Sequence, residues 1–211
     1  MKKVLLSCLV SLALVLSLGG TALADHEETG LPAPELQEYA PGSVPAQSDA
    51  AQAMSPAIHG VVLAMLHYDA AEFDAGDSAL AWESLYNMLS LYGQLDERSE
   101  YQDSDHLLLL SETVQDYSAA LDLSFHSLGA LPSALSDRLT YDAAADTYQV
   151  MCGNDSLTRF QIQATWQTAD GLVLTGVLED LAQQAELARF EAVLQPRDNM
   201  FGYAITGLTL V

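Results

Sequence analysis

Residues 159–178 read RFQIQATWQTADGLVLTGVL, and the fold class is decided here. Phe160, Ile162, Ala164 and Trp166 alternate with Arg159, Gln161, Gln163, Thr165 and Gln167. A period of two sends successive side chains to opposite faces of a strand, so this stretch predicts a strand with one apolar and one polar face. Asp170-Gly171 is a tight-turn signal, and Leu172 to Leu178 returns as the partner strand.

The same period extends on both sides. Leu139 and Tyr141 begin one strand; Tyr148, Val150 and Cys152 mark the next, followed by a turn at Gly153 to Ser156. Phe190, Ala192 and Leu194 alternate again, Pro196 to Met200 turns, and Phe201 to Val211 closes the series. Short connections between successive strands predict an antiparallel β-meander of five to six strands over residues 138–211.

Before residue 138 the period is near 3.6. Ser55-Pro56 offers an N-cap and a first-turn proline. Ile58, Val61, Val62, Met65 and Leu66 then form a helical stripe ending near Tyr68. Residues 69–77 read as an acidic loop. Asp77 or Ser78 caps a second helix to about Tyr92, with Trp82, Leu85, Leu89 and Tyr92 inward and Gly93 as C-cap. His106 to Leu110 reads equally as strand or extended chain, and Ser111 starts a third helix to about Phe125. Helices first and strands second predict an α+β fold, with about three N-terminal helices (55–128) packed on one face of the sheet (138–211) in a single domain 55–211.

The N terminus has a different character. Lys2 and Lys3, an apolar run from Val4 to Leu18, and Ala22-Leu23-Ala24 predict a signal peptide over residues 1–24, cleaved after Ala24. A lipobox reading with Cys8 leaves only Val4 to Ser7 as hydrophobic core, which is too short. Residues 25–54, with Pro32, Pro34, Pro41 and Pro45, predict an acidic, disordered linker. Loss of both lysines leaves five arginines against 29 acids, a formal charge of −24, and Cys152 as the single thiol.

This charge excludes binding to a phosphate backbone through a basic surface. With the predicted signal peptide it suits an acidic, secreted or cell-surface protein with no membrane insertion after cleavage. The absence of lysine beyond Lys3 removes Schiff-base chemistry and a lysine general base from the expected mature chain.

Ala57 to Gly93, with Phe73-Asp74 and Trp82-x-x-Leu85-Tyr86, resembles predicted secreted proteins of Gram-positive gut bacteria. Leu131-Pro132, the strand Leu139 to Asp142 and Tyr148-x-Val150 extend the resemblance. It implies secretion and the helix-then-sheet order, and it carries no catalytic residue.

Two sets of residues are candidate sites. Glu72, Asp74, Asp77 and Glu83 lie in a 12-residue window with partial EF-hand spacing, so calcium is the candidate cofactor. Gly76 stands where a ligand is needed and Asp77 where the turn glycine belongs. Gln161, Gln163, Thr165 and Gln167 form a polar, uncharged strand face, a candidate surface for a glycan or protein partner. His59 and His67 are eight residues apart on one helix, about 12 Å, and cannot share an ion. The leading expectation is a non-catalytic extracytoplasmic binding or interaction module. Its alternatives are a carboxylate-dependent extracellular hydrolase and a module stabilised by calcium at 72–83.

Overall fold

In the computed structural model, residues 48–124 and 128–211 are described; the expected signal peptide and most of the expected linker lie outside them. The hairpin at 158–180 forms as its alternation demands: β5 (Thr158–Gln167) pairs antiparallel with β6 (Leu172–Asp180). β7 (Ala185–Pro196) and β8 (Tyr203–Leu210) continue the meander, giving a four-stranded sheet in the order β5-β6-β7-β8.

The expected single meander of five to six strands is divided. β3 (Leu139–Asp142) and β4 (Thr147–Met151) belong to a second antiparallel sheet, ordered β1-β2-β4-β3. Its other members, β1 (Glu100–Tyr101) and β2 (His106–Leu110), come from the helical half of the chain. Leu107 and Leu109 alternate with less buried neighbours, and β2 pairs with β4, placing Leu107 opposite Val150 and Leu109 opposite Tyr148. The ambiguous apolar run at 106–110 is therefore a strand.

The helices lie between the sheets. α1 (Ser48–Tyr68) packs against β5, β7 and β8, whereas α2 (Ser78–Tyr92) packs against α1 and β4, and α3 (Ser111–Ala119) against β2 and β4. One continuous apolar cluster joins all three layers, from Ile58 and Met65 through Leu85 and Leu89 to Leu107, Val150, Leu174 and Phe190. The composition of α2 agrees with its burial between neighbours. Its sequence SALAWESLYNMLSLY has one charged residue, and a helix that is apolar nearly all round is a buried helix. Gly60 of α1 permits the close crossing with α2, since a Cβ there would lie 2.8 Å from the Ser84 carbonyl oxygen.

Two helix boundaries differ from expectation. α1 starts at Ser48, so Pro56 lies inside it, and the expected linker loses 48–54 to the fold. The Ser55 hydroxyl donates back to the Ala51 carbonyl instead of capping. Burial of Ala51 and Met54 offsets the proline's cost. α3 ends at Ala119, short of the expected end near Phe125, because Asp122 takes a left-handed conformation (φ 54°); Phe125 itself lies outside the described residues.

Among the described residues, no helix is long and apolar enough to cross a membrane.

Candidate functional site

Sheet β5–β8 has its inner face on the helices and its outer face turned away from them. A β-bulge in β5 decides which side chains reach that outer face. Ile162 pairs with Gly176 and Ala164 with Thr175, so Gln163 is an extra residue with no partner of its own. One extra residue reverses the side-chain alternation beyond it.

Trp166 therefore does not continue the apolar face of Phe160 and Ile162. It stands opposite Val173, which pairs with Val193, which pairs with Gly207. Val193 is 39% exposed and Trp166 half-buried, while Val173 is 6% exposed beneath them. The next row is Ala164, Thr175, Glu191 and Thr209, and the one beyond is Gln161, Val177 and Arg189. At the far end Arg159 pairs with Glu179, their charged groups 3.7 Å apart. There Arg159, Glu179, Asp180, Leu181 and Gln184 line an open depression of about 290 Å³.

The four polar residues expected on one face are thus separated. Gln161 and Gln163 are exposed. Thr165 and Gln167 fall in register with Leu174 and Leu172, whose side chains join the core. The Gln167 amide donates to the Gly171 carbonyl at 3.0 Å and braces the hairpin loop. Gly171 ends that loop because a side chain there would collide with the Leu194 carbonyl of β7. The interior glycine Gly176 was the available signal of irregularity, because glycine within a strand marks a bulge or a close approach.

The four acids of the expected calcium loop have separate tasks. Glu72 lies where the main chain forms an isolated β-bridge with Thr209, a contact of the backbone and not of the carboxylate. Asp74 Oδ1 accepts from the Gly76 N–H at 2.8 Å. Asp77 caps α2, accepting from the N–H groups of Ala79 and Leu80. Glu83, expected as the closing ligand, is buried on α2 and holds Arg138 through two hydrogen bonds of 2.8 Å. Among the described residues no three His, Cys, Asp or Glu side chains gather in a metal-holding group.

Three titratable groups away from the outer face have displaced proton affinities. Hydrogen bonds from Arg98 hold the Asp96 carboxyl below its usual range. The Asp105 N–H and His106 do the same for Asp103. A hydrolytic general acid needs displacement in the opposite direction. Burial, then Asp105 and Asp103, push the Cys152 thiol up, which disfavours a reactive thiolate. His59 is buried within the helical layer; His26 and His126 lie outside the described residues. The second sheet carries a smaller depression of about 140 Å³, lined by Gln102, Leu108, Thr140, Asp142, Thr147 and Gln149.

No protein-family model, curated protein or solved structure matches this chain.

Proposed function

We propose that the protein is a non-catalytic extracytoplasmic binding module, and that the outer face of β5–β8 holds a neutral glycan. One observation carries the reading: the bulge at Gln163 moves Trp166 onto the face that already bears Gln161, Arg159, Glu179 and Arg189.

The chemistry suits a sugar polymer. An indole offers a flat apolar surface with a polar edge, which matches the apolar face and hydroxyl rim of a pyranose ring. Amide, carboxylate and guanidinium groups on the same face donate to and accept from hydroxyls. From Arg159 to Trp166 the face runs roughly 20 Å at strand spacing, long enough for several rings of an extended chain. A formal charge of −22 repels polyanions, so uronic-acid polymers, teichoic acids and nucleic acids are poor partners.

The test is native electrophoresis in gels containing soluble starch, mannan or hydroxyethyl cellulose. At least one polymer is expected to retard the protein. Trp166→Ala is expected to weaken that binding about tenfold or more, as removal of a central aromatic anchor does, with the far-ultraviolet spectrum unchanged. Equal retardation of the variant, or free migration in all three gels, contradicts the proposal.

A further inference from the structure

His59 lies on α1 with no solvent exposure, in a slot formed by three other elements. Its Nδ1 is 2.7 Å from the Tyr92 hydroxyl at the end of α2. Its ring stacks on Phe160 of β5 with centroids 4.9 Å apart, and Phe160 stacks on Phe190 of β7. The Asp155 carboxylate, on the connection between β4 and β5, is 3.9 Å from Nδ1 and half exposed. Gly153 lets that connection pass α2, since a Cβ there would lie 2.7 Å from Ser90 Oγ. Nε2 is buried and has no hydrogen-bond partner among the described residues.

This slot suits a neutral imidazole and not a charged one. Neutral histidine has one N–H and one bare nitrogen. The Tyr92 hydroxyl, its pKa pushed up to about 12 by burial and Asp155, stays protonated and serves Nδ1 in either tautomer. An imidazolium adds a second N–H and a full charge among apolar rings; its Nε2–H has no acceptor among the described residues, and the facing carboxylate of Asp155 is half exposed to water, so the buried charge is costly. We propose that His59 is an acid-operated latch: protonation of its imidazole releases β5 and the connection 152–157 from α1.

Among the described residues, the titratable groups facing the ring are Tyr92 from α2 and Asp155 from the connection; Phe160 from β5 carries no charge. Desolvation lowers the His59 pKa, and the attraction of Asp155 opposes it without reversing it. The folded pKa therefore lies below the unfolded value of about 6.5, so the unfolded chain takes up the proton first. Stability is complete above that value and falls as pH drops below it, by up to about tenfold in the folding constant per pH unit. The loss levels off once the folded ring is itself protonated. Because Phe160 shares β5 with Gln161 and Trp166, opening the latch also loosens the proposed glycan face. That consequence rests on the function proposed above, whereas the latch does not.

The experiment compares urea unfolding of the intact protein and His59→Phe from pH 7.5 to 5.5, without ligand. Phenylalanine keeps a ring in the stack and removes the titration. The wild-type folding constant is expected to fall several-fold relative to the variant across this range. Parallel pH curves overturn the latch and leave the glycan reading standing. If His59→Phe does not fold, the His59 ring is titrated by NMR in the wild-type protein. A midpoint below 6.5, shared by amide changes over 152–160, supports the latch; a midpoint at or above 6.5 overturns it.

Discussion

Phe190→Ala is expected to lower the unfolding free energy by about 3–5 kcal/mol, the usual cost of emptying a buried phenylalanine site. Phe190 is fully buried at the centre of β7, with its ring parallel to Phe160 at 5.3 Å and 3°. The facing position on β6 is Gly176, where any Cβ would run into the Phe190 ring and the Gln161 carbonyl. The ring occupies the space a side chain on β6 would take, so its loss leaves a void that no neighbour can fill without moving backbone. Urea unfolding should show a lower midpoint with an unchanged slope, because the surface exposed on unfolding is nearly the same. A loss under about 1 kcal/mol would mean that the site collapses freely and that the ring stack does not organise this half of the core.

Arg138→Ala is the second large effect. Glu83 is buried on α2 with 4% of its side chain exposed, and its carboxylate is answered by the forked guanidinium of Arg138. The guanidinium also lies over the Tyr86 ring at 4.5 Å. Removing the cation strands a carboxylate in the interior, which costs about 3–5 kcal/mol for a fully buried pair. Arg138 is about a third exposed, so the low end, about 3 kcal/mol, is expected. The pair need not be stabilising against an apolar replacement. Glu83→Leu combined with Arg138→Met should recover most of the loss. A double-mutant cycle in which the two single losses simply add would show that the charges do not depend on each other.

These two sites also show how much of the fold could be read from the chain. The strands over 139–210 were legible because their alternation is local, and so were the second helix and its Asp77 cap. Their division into two sheets was not. It depends on β2 pairing with β4, some forty residues away, and nothing in His106 to Leu110 specifies that partner. Glu83 was legible only as an acid in a loop-like spacing. Its meaning changed once α2 was seen to be buried on nearly every side, where one lone acid requires a cation.

The proposed binding face was half legible. Gln-Ile-Gln-Ala-Thr-Trp-Gln alternates without interruption, so the pattern runs straight through the bulge and sends Trp166 to the wrong side. The partner strand contributes Gly176, whose missing side chain makes room for Phe190. The tryptophan that the alternation assigns to the core thus becomes the largest side chain on the outer face.

The most direct test is an amide and indole NMR titration of the isotopically labelled protein with soluble fragments of whichever neutral polysaccharide retards it. The largest shifts are predicted at the Trp166 indole and at Gln161, Val173, Arg189 and Val193, along the outer face of β5–β8. Shifts confined to the second sheet, around Gln102, Leu108, Thr140 and Gln149, would contradict the account.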